Sequence, residues 1–259
     1  TTNMPASLEE KARGVDGESG MEIRPDRDQD PPMPRVVDLT HPLSPTFPTW
    51  DGVPGIALER RAEVAADGYG LHLWHLDEHI GTHLDAPRHY DPQGLDAASI
   101  ADEDLILPLV VIDVRARAMR DPDHAVDLAD IAVHESAHGI IPPGACVAML
   151  SGWGARVADA GFRNADAAGV MHFPGFSLAA ARVLAEARDA KALAVDTLSL
   201  DPGASPDLPV HRYWLPSGRY GLECVANLEK VPARGATIVV GAPRIEGATG
   251  GPCRLLALL

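Results

Sequence analysis

A chain of 259 residues with 46% hydrophobic and 23% charged residues has the balance of a globular protein with a sizeable core, which excludes disorder of the whole chain. Its net charge of -15, from 22 Lys and Arg against 37 Asp and Glu, repels phosphate backbones and anionic lipid surfaces, so nucleic-acid and membrane partners are set aside. Cys146, Cys224 and Cys253 are odd in number and form no C-x-x-C pair, which argues against a disulfide framework or a cysteine-zinc site and for a reducing, cytoplasmic setting.

Residues 1–34 are polar and rich in charge and proline, and are expected to be an arm, disordered or wrapped on a neighbouring subunit; residues 35–259 are expected to form one domain. Organised sequence begins with a strand at Val36-Val37-Asp38-Leu39, followed by a proline-punctuated loop carrying Phe47 and Trp50. Strand patterns recur from Gly70 to Trp74, at Leu107 to Val114 with Pro108 moving the start to near Leu109, at Cys146 to Leu150, at Leu193 to Val195 and, as the last clear one, at Thr237 to Val240. Helical spacing covers Asp127 to His138, with Leu128, Ile131 and Ala132 on one side, and Ser177 caps a helix from Leu178 to about Arg188. Strands and helices interleave without the regular repeat of a doubly wound sheet.

Five of the 11 histidines, His72, His75, His79, His83 and His89, fall within residues 72–89. In extended chain the side chains of residues 79, 81, 83 and 85 share one face, so His79, His83 and Asp85 project together as an N,N,O ligand set for a divalent ion such as Mn or Zn. Six residues at ~3.3 Å each put His79 too far from Asp85 for one ion, so the chain must bend, and Gly81 is best able to do so. Ile80, Gly81, Thr82 and Pro87 oppose a helix through this segment. The bland alternative is a hydrogen-bonded histidine cluster without a metal.

Residues 79–89 resemble the H-x-G-T-H-x-D-x-P-x-H signature of the cyclase family of metal-dependent hydrolases, which includes kynurenine formamidase and isatin hydrolase. Similarity continues through Asp38-Leu39-Thr40, Phe173-Pro174-Gly175, Val195 to Asp201, His211, Glu223 and Asn227-Leu228. That resemblance implies an α/β fold of the swivelling β/β/α kind, with a barrel-like mixed sheet and surrounding helices, and a homodimer or larger homo-oligomer. It further implies that His79, His83, Asp85, His211 and Glu223 hold one or two metal ions and that His89 moves protons, with Glu223 as the alternative base. The activity it implies is cleavage of the C–N bond of a small aromatic amide, isatin hydrolase-like ring opening with kynurenine formamidase activity as the alternative.

Phe47, Trp50 and Trp74 are candidates for an aromatic wall against a planar substrate, with core packing as the competing role. Asp196 and Asp201 are expected to shape loops through hydrogen bonds rather than bind metal. A serine hydrolase lacks its G-x-S-x-G and a nicotinamide enzyme its G-x-G-x-x-G. The rival from another class is a non-catalytic metal or small-molecule binding protein.

Overall fold

The computed structural model describes residues 34–159 and 161–259, so the expected arm falls outside the described residues except for Pro34. The strands are β1 (Val36–Asp38), β2 (Ile56–Ala62), β3 (Leu71–Leu76), β4 (His83–Asp85), β5 (Ile106–Asp113), β6 (Ala125–Val126), β7 (Cys146–Leu150), β8 (Gly175–Phe176), β9 (Ala192–Val195), β10 (Tyr220–Glu223), β11 (Ala236–Gly241), β12 (Gly250–Pro252) and β13 (Arg254–Leu258). The helices are α1 (Val64–Asp67), α2 (Arg115–Ala118), α3 (Leu128–His138), α4 (Leu178–Glu186) and α5 (Pro209–Trp214), with short 3-10 turns between.

Nine strands form one mixed sheet in the order β1-β13-β11-β5-β7-β9-β10-β4-β12. The centre, β5-β7-β9-β10, is parallel, and the strands on both flanks pair antiparallel. Strands β5, β7 and β9 are near-continuous apolar runs because both faces of the parallel centre are covered. On one face Val110, Ile112, Val147, Met149, Leu193 and Val195 pack with Ile131 of α3, Leu184 of α4 and Trp214 of α5. On the other, Leu109, Val111, Cys146 and Ala148 pack with Leu84, Leu222, Ile238 and Leu255 of the sheet's own flanks, so the sheet curls over this core as a half-barrel. The α/β class and the barrel-like mixed sheet agree with the expectation.

Local sequence sets the boundaries. Asp127 caps α3 by accepting from Ala129 N and Asp130 N, while the Asp130 carboxylate accepts from Asp127 N. That bond, with another from His124, draws Asp130 inward, and the buried stripe becomes Asp130, Ile131 and His134, leaving the expected Leu128 and Ala132 exposed. Ser177 caps α4 through Ala180 N. Strand β5 starts at Ile106 rather than near Leu109: Pro108 is paired with Thr237 of β11, and β7 joins only from Leu109, so the proline sits where the sheet has one neighbour. Strands β12 and β13 follow the strand read as last from the sequence.

Candidate active site

The site is built around β4, which lies between β10 and β12 and contributes His83 and Asp85 to one face while Leu84 points into the core. Gly81, at φ +65°, supplies the bend required of this segment and returns His79 to the same place, with its Nδ1 2.6 Å from Asp85 Oδ1. His79 Nε2 is 3.0 Å from the Thr249 hydroxyl. His83 donates through Nδ1 to the Gly81 carbonyl at 2.8 Å, and its Nε2 stands 3.3 Å from Asp85 Oδ1 and 3.5 Å from Glu223 Oε2. Glu223 reaches the site because it pairs directly with His83 across the β10–β4 ladder.

His211 arrives from α5, whose start is fixed by Leu208 in a left-handed conformation and by Pro209 at the first turn. Its Nδ1 donates to Asp201 at 2.7 Å and its Nε2 to Glu223 Oε1 at 3.0 Å, and Nε2 also lies 3.6 Å from Asp85 Oδ2. Asp201 additionally accepts from Val210 N and His211 N, so it shapes the loop as expected and also orients an imidazole. Asp196 is a loop-shaping residue alone, accepting from Ser151 N, Gly152 N, Trp153 N and the Ser151 hydroxyl. His89 closes the 3-10 turn after β4, and its ring stacks on His79 with centroids 3.9 Å apart.

Two trios of side chains that could hold a metal ion, His79, Asp85, His89 and His83, Asp85, Glu223, each have their donor atoms within 4.8 Å of one another, and Asp85 belongs to both. The electrostatics are those of a buried negative pair held by imidazoles. Burial opposes charge on Asp85, yet His83, His211 and His79 hold it well below the usual carboxylate range. Burial opposes charge on His83 too, but Asp85 and Glu223 prevail and push it up to about 9; His211 is likewise raised, by Asp201, Asp85 and Glu223 against its burial. Burial and the Asp85 charge raise Glu223. Loss of water among its neighbours brings His89 down to about 4, with the nearby imidazoles adding to the effect against Asp85.

A divalent cation fits these residues. His83 Nε2 and Asp85 Oδ2 are buried without a hydrogen-bond partner, and no lysine or arginine pairs with Asp85 or Glu223 among the described residues. Imidazole and carboxylate donors suit Mn and Zn alike.

The cluster opens into a cavity of about 260 Å³ lined also by Trp50, Tyr90, Leu198, Ser199 and Leu208. Of the three aromatic candidates only Trp50 reaches it, half exposed and edge-on to Phe173 at 6.3 Å. Phe47 is instead buried in an apolar cluster with Trp153, Phe162 and Phe173, because the proline-rich loop turns its ring inward. Trp74 lies exposed on the β2–β3 hairpin, away from the cavity, since that hairpin is a separate two-stranded sheet. Sequence reasoning passed over Thr249 and Gly250, although the Gly250-Gly251 pair signals a close approach of backbone. A Cβ on Gly250 would stand 2.6 Å from His79 Cε1.

The family model described as "Putative cyclase" matches residues 37–202. This chain belongs to the cyclase family. An isatin hydrolase of Roseibium aggregatum is 32% identical over 244 residues, 86% of this chain and 91% of that protein. A solved isatin hydrolase A from Labrenzia aggregata, bound to benzyl benzoate, superposes with a TM-score of 0.81 at 34% identity, covering 87% of this chain and 93% of that one. A kynurenine formamidase of Salinibacter ruber is 26% identical over 230 residues, 85% of this chain and 95% of that protein. Among the described residues, no helix is long and apolar enough to cross a membrane.

Proposed function

We propose that this protein is a metal-dependent amidohydrolase that opens the C–N bond of a small cyclic aromatic amide, as an isatin hydrolase does. The observation that carries this reading is the buried His83, Asp85 and Glu223 trio with His79, His89 and His211 around it, lining a cavity that also holds Trp50 and Tyr90. The similarity to isatin hydrolases over most of the chain supports the same substrate class. Formamidase activity on an aryl formamide is the second reading, favoured by the similarity to kynurenine formamidase.

His79, His83, Asp85 and Glu223, with His211 beside them, would hold one or two Mn or Zn ions. When bound, such an ion lowers the pKa of water and withdraws electrons from a carbonyl. Trp50 and Tyr90 hold the planar ring of the substrate. His89, stacked on His79 at the cluster, takes a proton from the attacking water and returns it to the nitrogen as the C–N bond breaks; Glu223 is the alternative base. Asp201 keeps His211 in one orientation throughout. The cavity beside the ligands favours catalysis over a closed structural metal site.

The same reading makes the protein a homodimer or larger homo-oligomer with one domain over residues 35–259, in a cytoplasmic setting that its three buried, unpaired cysteines suit. Hydrolysis of isatin and of N-formylkynurenine by metal-stripped protein, reloaded separately with Mn and Zn, tests it. Ring opening of isatin restored by metal is the expected result, with N-formylkynurenine the poorer substrate. Turnover of N-formylkynurenine alone transfers the assignment to the second reading, and no turnover of either despite tight metal binding overturns both.

A further inference from the structure

Thr82 is buried and immediately precedes His83, and Cys224 immediately follows Glu223. Strands β4 and β10 pair antiparallel through Asp85–Gly221, Leu84–Leu222 and His83–Glu223. The next rung would join Thr82 to Cys224, but the ladder stops there because Cys224 turns into the left-handed region at φ +52°. A side chain at such a φ is strained and persists only where its surroundings hold it.

One of the contacts that hold this kink comes from a side chain. The Thr82 hydroxyl donates to the Cys224 carbonyl at 2.6 Å and accepts from His41 N at 2.9 Å, so one oxygen ties together three segments. The backbone of Thr82 is fixed independently by Cys253 N, which donates to its carbonyl at 3.0 Å. Cys224 N donates to the Thr197 carbonyl at 2.9 Å. Movement at the Thr82–Cys224 contact is therefore transmitted one residue along each strand, to the two side chains that face each other as His83 Nε2 and Glu223 Oε2 at 3.5 Å.

We propose that Thr82 is a positioning residue whose hydroxyl replaces the missing rung of the ladder and sets the separation of His83 and Glu223 for a divalent cation. The proposal rests on the reading of these two side chains as cation ligands. Thr82→Val keeps the shape and removes the hydroxyl, leaving His41 N and the Cys224 carbonyl without it, whereas Thr82→Ser keeps the hydroxyl and loses a methyl group.

The test is calorimetric titration of Co(II) into metal-free full-length protein, with the visible absorption of the bound cobalt recorded for wild type and both variants. Thr82→Val is expected to bind about tenfold more weakly with an altered cobalt spectrum, and Thr82→Ser to stay within about twofold with the wild-type spectrum, following the usual cost of losing support behind a ligand. Wild-type affinity and spectrum in Thr82→Val overturn the proposal. If Thr82→Val cannot be recovered folded, Thr82→Ser decides: the wild-type spectrum and affinity uphold it, and a tenfold loss despite the retained hydroxyl overturns it. Wild-type protein that binds no cobalt overturns the ligand reading and this proposal together, while failure to turn over isatin leaves the cobalt result standing.

Discussion

Neighbouring residues of one type show how narrowly the site is determined. A methyl group added at Gly250 would lie 2.3 Å from the Leu84 carbonyl oxygen and 2.6 Å from His79 Cε1, whereas one added at Gly251 meets nothing within 4 Å. Gly250→Ala must therefore push β12 away from β4 and displace the His79 ring. We expect a loss of about 1–3 kcal/mol in stability together with weakened metal binding, while Gly251→Ala stays close to wild type. Urea unfolding and cobalt titration of the two variants check this, and equal behaviour of both would remove the steric argument. Much of the site was legible before the structure at this same scale, since the alternation of His83 and Asp85 and the flexibility of Gly81 already brought His79, His83 and Asp85 together. His211 and Glu223 rested on resemblance, because each lies more than 120 residues along the chain from β4 and only the β10–β4 pairing and the start of α5 bring them in. Trp74 was misplaced because a hydrophobic residue in a strand pattern does not reveal which sheet the strand joins.

Individual elements are joined by polar contacts as well as by apolar packing. Glu135 of α3 accepts from Arg188 Nε at 2.6 Å and Nη2 at 2.8 Å and from Ile141 N at 3.1 Å, linking α3 to the segment just after α4 and to the loop that follows α3. The Arg188 guanidinium holds the Glu135 carboxyl below its ordinary value, with help from Ile141 N and against partial burial. A carboxylate whose folded pKa is depressed stabilises the fold above its unfolded pKa, and the contribution is lost as pH falls through the folded value. Glu135→Gln should thus cost about 1 kcal/mol at pH 7, and its difference from wild type should shrink once the pH falls below about 4. Denaturation curves at the two pH values measure it, and a difference independent of pH would assign the effect to packing instead. The elements themselves were readable where the signal is local: the apolar runs of β5, β7 and β9 and the caps at Asp127 and Ser177 lie in contiguous sequence. Strand β12 was not, because Gly250-Gly251-Pro252 has no strand propensity of its own and takes its extended form from pairing with β4.

For the molecule as a whole, the feature that the curled sheet does not account for is the β2–β3 hairpin. Every residue of β3 is exposed, and Leu58, Leu71, Leu73, Trp74 and Leu76 present large apolar side chains on a sheet of only two strands. Alternation places Leu71 and Leu73 on one face and Trp74 and Leu76 on the other, so both faces carry large apolar side chains between their polar ones. A two-stranded ribbon of this kind is marginal in water by itself, and in the homo-oligomer proposed above its apolar side chains would be stabilised by burial in a subunit interface. The hairpin also bears on the site, because β3 ends at Leu76 and only Asp77 and Glu78 separate it from His79. Anchoring the hairpin against another subunit would hold His79 in register with Asp85. If the proposed homo-oligomer is built through this hairpin, replacing Leu73 and Trp74 together by Glu should lower the native mass to that of a monomer by light scattering and weaken cobalt binding, with the variant still giving a cooperative unfolding transition. An unchanged native mass would show that the assembly is made elsewhere, and a monomer with undiminished cobalt affinity would show that His79 is held by Thr249 and Gly81 without help from the hairpin.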